Sequence, residues 1–171
     1  MKFSEYYPEY FTATILDWQH LLRNDAYKGI ITDSLSYLVN NNRVKVFGFV
    51  IMSNHIHIIL QVMAEHKPRD VQLSFMKFTA QMLLKDLRNK HPEVLATFRV
   101  DASDRKYQIW KRNALDVQLW SQVVFKQKLD YIHHNPVKAG ICRYPEEYRF
   151  SSAAYYETGT SEWSFLTHYQ G

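Results

Sequence analysis

The chain has 171 residues, 46% of them hydrophobic and 15% aromatic, with a formal net charge of +4. That is enough apolar material for a sizeable core, which excludes a disordered chain, and the longest apolar run, around residues 46–60, is broken by polar residues and too short to span a bilayer. Charge is uneven: residues 66–112 carry 11 basic and 5 acidic side chains, whereas the flanking parts are each slightly acidic. Such a middle third suits a polyanion such as nucleic acid, although a solvated surface has a similar composition.

Met1-Lys2-Phe3-Ser4-Glu5 has no apolar stretch of the kind a secretory leader needs. The single Cys142 has no partner for an internal disulfide, so the expected location is the cytoplasm. Nothing near Cys142 marks it as activated. No repeat or linker divides the chain, which reads as one domain over 1–171, with a core of about 10–136 and a packing tail of 137–171.

Phe11-Thr12-Ala13-Thr14-Ile15-Leu16 reads as a first strand. Residues 28–41 carry Ile30, Ile31, Leu35, Leu38 and Val39 at helical spacing and end at Asn40-Asn41-Asn42. Val44 to Val50 reads as a second strand. Val50-Ile51-Met52-Ser53-Asn54-His55-Ile56-His57-Ile58-Ile59-Leu60 then turns near Met52-Ser53-Asn54 into a third, giving an antiparallel hairpin.

Residues two apart on a strand share a face, so His55 and His57 project side by side from a rigid element. Two ligands of one metal ion need that arrangement. Two polar residues on a partly exposed strand would look the same.

Residues 70–90 have helical periodicity. Val71, Phe75, Phe78 and Met82 form one apolar stripe, with Leu83 and Leu87 alongside. Lys77, Gln81, Lys85 and Arg88 form a polar, mostly basic stripe able to track a phosphate backbone. Residues 91–106 read as a loop. Tyr107–Trp110 and Leu115–Leu119 read as two short strands around Lys111-Arg112-Asn113-Ala114. Ser121 is a suitable N-cap for a last helix, which Pro136 is expected to stop at Asn135. The expected class is therefore α+β: a ferredoxin-like split βαβ order with an antiparallel sheet, helices on one face, and a C-terminal helix carrying Tyr131.

On that last helix Lys128, Tyr131 and Asn135 share a face, and Phe125, Leu129 and Ile132 form the adjacent apolar stripe. His133 and His134 are adjacent, point in different directions and read as surface residues. His134 is the one of the pair placed to touch DNA. His66, His91 and His168 stand apart.

The histidine strand, followed by Tyr131-Ile132-His133-His134-Asn135-Pro136-Val137-Lys138-Ala139-Gly140 and then by Pro145-Glu146-Glu147-Tyr148-Arg149-Phe150-Ser151-Ser152-Ala153, resembles the REP-associated tyrosine transposases. These are single-tyrosine members of the HUH nuclease superfamily. The resemblance spans about residues 10 to 156.

It implies a ligand set of His55, His57 and Asn135 for a divalent ion, Mg or Mn. Imidazole nitrogens favour Mn over Mg. The resemblance also implies that Tyr131 attacks a phosphate of single-stranded DNA containing a hairpin and becomes joined to the DNA 5′-end, which conserves the bond for rejoining without ATP. Lys128, one turn before, is placed to assist. Lys77, Lys85, Arg88, Lys111, Arg112, Lys128 and His134 are the expected DNA contacts. Relatives in the wider superfamily often dimerise, so a homodimer stays open.

Two other readings compete. A nucleic-acid-binding module on the same fold, without chemistry, predicts that His55 and His57 are replaceable. A zinc hydrolase predicts activity that survives Tyr131→Phe, but no acidic third ligand or general base stands at a suitable spacing.

Overall fold

The computed structural model describes residues 6–171, so Met1–Glu5, on which the expected absence of a secretory leader rests, lies outside the described residues. Strands β1 (Glu9–Thr14), β2 (Val44–Ile51), β3 (His55–Val62) and β4 (Leu115–Gln118) form an antiparallel sheet in the order β2-β3-β1-β4. Helix α1 (Asp25–Asn40) connects β1 to β2, and α2 (Pro68–Lys90) with the short α3 (Pro92–Ala96) connects β3 to β4. This is the split βαβ arrangement expected from the element order. Helix α4 (Gln122–Lys138) follows β4, and α5 (Ala153–Thr158) lies in the tail.

Alternation along the strands divides the interior into two cores. Phe11, Ala13, Phe49, Ile56, Ile58 and Leu60 face α1 and α2, where Ile31, Leu35, Val71, Phe75, Leu83 and Leu87 meet them. Tyr10, Val50 and Ile59 face the other way, onto Phe125, Leu129 and Ile132 of α4. The apolar runs of β2 and β3 follow from this, since both faces of those strands are covered.

Gly48 sets the distance between α4 and the sheet. A Cβ there would come within 2.5 Å of Leu129 Cδ1 and 3.3 Å of Ile132 Cδ1. The missing side chain lets the helix lie close on the strands.

The tail covers the outer edge of β2. Ile51 N donates to Phe150 O at 2.9 Å, Ser152 N to Phe49 O at 3.0 Å, and Thr167 N to Val46 O at 2.8 Å. An edge strand that would otherwise present open backbone groups is thus closed.

Several boundaries differ from the sequence reading. The first strand begins at Glu9 rather than Phe11, and α1 begins at Asp25, capped by the Asn24 side chain, which accepts from Ala26 N at 2.9 Å. On α2, Phe78 and Met82 are exposed, and Thr79 takes the buried position between Phe75 and Leu83. Thr79 is accommodated because its hydroxyl donates to Phe75 O at 2.9 Å and accepts from Trp110 Nε1 at 3.0 Å. Part of the expected 91–106 loop is helical, as α3. Tyr107 and Trp110 form only isolated bridges, to Arg99 and Ile15, so this segment is not a strand of the sheet.

Helix α4 does not end at Asn135. Pro136 lies within it, near its C-terminus, where the missing N–H forfeits a single intrahelical bond. The stop comes at Gly140, with φ +74, where Gly140 N bonds Val137 O and Ile141 N bonds Pro136 O, both at 3.0 Å. That pair of bonds is a Schellman motif.

Candidate active site

β3 presents His55 and His57 on the face covered by α4, with ring centroids 4.8 Å apart. Across the sheet, Thr14 pairs with His55 and Thr12 with His57, so those threonines share the histidines' face. His57 is buried. Its Nδ1 lies 2.7 Å from Thr12 Oγ1 and 2.9 Å from Tyr10 Oη, and the Tyr10 ring stacks on it at 5.4 Å. His55 Nδ1 lies 2.7 Å from Asn54 Oδ1. Each imidazole is thus held through Nδ1, and Nε2 is left to face the cleft.

Burial pushes the His57 imidazolium down to about 3, helped by the charges that His55 and Lys128 would add. Burial lowers His55 as well, against the opposing contact with Asn135. Both rings are therefore neutral at physiological pH and keep a lone pair available.

Helix α4 brings two groups to the histidines within the same chain. The Tyr131 ring centroid lies 5.8 Å from that of His57. Asn135 Oδ1, one turn on, lies 3.2 Å from His55 Nε2. In the tautomer with the proton on Nδ1, toward Asn54, Nε2 presents a lone pair beside the Asn135 carbonyl oxygen. Two acceptors so placed are a donor set for a cation. Two imidazole nitrogens and an amide oxygen thus fit a divalent ion such as Mn, but bring no negative charge to it. Among the described residues, no three His, Cys, Asp or Glu side chains converge on a metal-sized site.

Tyr131 is 44% exposed, so part of its side chain is open to solvent. Two ammonium groups flank its ring: Lys128 Nζ at 5.8 Å and Lys138 Nζ at 5.4 Å. Lys128 also sits over the Tyr10 ring at 4.8 Å. At the other end of the pair, the Trp18 ring meets His55 edge-on at 6.3 Å, and Lys111 Nζ lies 5.9 Å from the Trp18 centroid.

The remaining candidates fall elsewhere. Lys77, Lys85 and Arg88 are exposed on α2, which packs on the opposite face of the sheet from His55 and His57, and Arg88 lies over the Tyr107 ring at 5.9 Å. Arg112 is 3.9 Å from Asp104. His134 is exposed, with Nδ1 2.9 Å from the Asp130 carbonyl of its own helix.

His133 is buried rather than on the surface. Its Nε2 lies 2.7 Å from Ser152 Oγ, which also accepts from Phe49 N at 3.0 Å. Burial pushes His133 down to about 4, so it is a neutral bridge between α4, β2 and the tail. Sequence reasoning missed Tyr10, Thr12, Ser152 and Lys138 as supports of the site. The alternation of β1 pointed to the first two, because Tyr10 and Thr12 are polar groups on a face that should be apolar.

No family model and no curated protein matches the chain. Several solved structures do, among them the following two. A REP-associated tyrosine transposase bound to a REP hairpin superposes with a TM-score of 0.65 at 15% identity, covering 98% of this chain and 92% of that one. A candidate transposase from Deinococcus radiodurans R1 superposes with a TM-score of 0.52 at 13% identity, covering 78% of this chain and 94% of that one. At these identities the likeness is one of fold: the α+β architecture of this chain, with its four-stranded antiparallel sheet, is the architecture of a REP-associated tyrosine transposase.

Proposed function

We propose that this protein is a transposase-type nuclease that cleaves and rejoins single-stranded DNA carrying a hairpin, with Tyr131 as the nucleophile. One observation carries the reading: the Tyr131 ring lies 5.8 Å from His57, within a cluster whose Asn135 Oδ1 is 3.2 Å from His55 Nε2. The shared fold and the hairpin in the neighbour's structure support the choice of substrate.

Tyr131 Oη attacks phosphorus and its proton passes to water. The P–O3′ bond breaks, and the 3′-oxygen departs with the electron pair and takes up a proton. The DNA 5′-end remains on the tyrosine as a phosphodiester, which a later 3′-hydroxyl attacks to rejoin the strand. His55, His57 and Asn135 would hold a divalent ion, Mn or Mg, whose contribution is to polarise the phosphate and stabilise the departing oxygen. Lys128 and Lys138 add positive charge where the phosphate's charge develops. Thr12, Tyr10 and Asn54 hold the two rings by their Nδ1 atoms, the orientation that the ligand role needs.

The test incubates the protein with labelled hairpin-containing single strands and Mn, then separates the products under denaturing conditions. A covalent adduct that is lost in Tyr131→Phe, and strongly reduced in His57→Ala, is the expected result. No adduct with the wild-type protein, or an undiminished one with Tyr131→Phe, would overturn the proposal.

A further inference from the structure

Trp18 sits in an unusual piece of backbone. It and Asp17 are consecutive non-glycine residues in the left-handed region, with φ +56 and +54. Such a conformation costs free energy and persists only where the surroundings over-determine it. Here they do. Ile15 N bonds Asn54 O at 2.9 Å, Leu16 N bonds Ile109 O at 2.7 Å, and Lys111 N bonds Thr14 O at 2.7 Å. Beyond the turn, Gln19 and Thr97 are joined by two hydrogen bonds, at 3.1 and 2.7 Å.

The product of this strain is an indole 55% exposed, although it stands at the rim of a site with two buried cores beside it. Its edge meets His55 and an ammonium group lies over it. An exposed aromatic face beside a cation, on rigid backbone, is how proteins hold an unpaired base and its phosphate.

The direction of the DNA follows from the order of contacts. Tyr131 meets His57, whereas Trp18 meets His55. These histidines are about 7 Å apart along β3. In phosphoryl transfer the leaving oxygen departs roughly in line with, and opposite to, the attacking one. A nucleotide leaving with its 3′-hydroxyl is therefore carried away from Tyr131, toward the His55 end.

We propose that Trp18 is the stacking platform for the base immediately 5′ of the cleaved bond, with Lys111 on that nucleotide's phosphate. The assignment rests on the reading of Tyr131 as nucleophile and adds the substrate's polarity and a base-binding position.

The experiment first maps the cleaved bond with the wild-type protein and Mn. It then measures adduct formation against DNA concentration for wild type, Trp18→Ala and Trp18→Phe, on intact strands and on strands abasic at the position just 5′ or just 3′ of that bond. Trp18→Ala is expected to raise the half-saturating DNA concentration about tenfold, and Trp18→Phe to recover most of the loss. The 5′-abasic strand should impair wild type by a similar factor and leave Trp18→Ala no worse, while the 3′-abasic strand affects both proteins alike. Equilibrium binding in a Tyr131→Phe background should repeat this pattern without chemistry. Multiplying effects of Trp18→Ala and the 5′-abasic site would overturn the platform alone. A wild-type protein that forms no adduct would overturn the nucleophile and, with it, the platform defined by its cleavage.

Discussion

At the scale of single residues, the site depends on groups that never face the cleft. Ser152 Oγ joins His133 of α4 to the backbone of β2, at 2.7 and 3.0 Å, and is fully buried. Ser152→Ala leaves a buried imidazole nitrogen and a buried N–H unpaired, for an expected loss of about 2–3 kcal/mol of stability. A urea unfolding midpoint within error of wild type would contradict this. Glu9 gives a prediction with pH. It is buried on the α1/α2 face, accepts from Gln72 Nε2 at 2.8 Å, and is pushed up to about 7, mostly by burial and then by Asp116. The folded chain thus keeps a proton that the unfolded chain releases near pH ~4.3. Stability from this group is fully present below that value and lost as pH rises through about 7. Glu9→Gln should therefore gain about 1–2 kcal/mol relative to wild type on going from pH 5 to pH 8. Paired urea titrations at the two pH values measure the gain, and no difference between them would count against it.

At the scale of elements, the critical relation is the seat of α4 on the sheet. Gly48→Ala directs a methyl group to 2.5 Å from Leu129 Cδ1, on the helix that carries Tyr131 and Asn135. The expected cost is about 1–3 kcal/mol, with slower adduct formation because the helix must rise. Unfolding and adduct kinetics measured on one preparation check both, and an unchanged rate would show that the seat tolerates a methyl group.

Much of this element layout was legible in the sequence. Period-2 alternation put His55 and His57 on one face, and helical spacing grouped Tyr131 with Asn135. What was not legible had physical reasons. Pro136 looks like a terminator but sits where one lost hydrogen bond matters little, and Gly140 makes the stop. His133 looks like a surface group because its partner, Ser152, is 19 residues downstream. Phe78 and Met82 look like core because periodicity cannot reveal that Thr79 finds bonds for its hydroxyl. The strained turn that exposes Trp18 left no pattern at all.

At the scale of the molecule, basic charge lies on both sides of the sheet. Lys85 and Arg88 lie on α2, whereas Lys111, Lys128 and Lys138 stand around the histidines and Tyr131. Replacing Lys85 and Arg88 together should weaken DNA binding broadly and flatten its salt dependence by about two counterions, through contacts to a hairpin stem. Adduct formation at saturating DNA should not change. An unchanged salt slope would remove α2 from the interface. The neutral donor set adds a further expectation: with no carboxylate among His55, His57 and Asn135, Mn should bind the free protein weakly and the protein–DNA complex more tightly, because the phosphate supplies the charge. Calorimetric titration of Mn, with and without an uncleavable strand, compares the two, and equal affinities would contradict the shared site.

The central claim is that the chain's own Tyr131 takes the DNA, and the most direct measurement identifies the residue that carries it. Protein incubated with a hairpin-containing single strand and Mn is digested, and the nucleotide-bearing peptide is sequenced by mass spectrometry. The account predicts a 5′-phosphodiester on Tyr131. An adduct on any other residue, or cleavage with no residue modified, would contradict it.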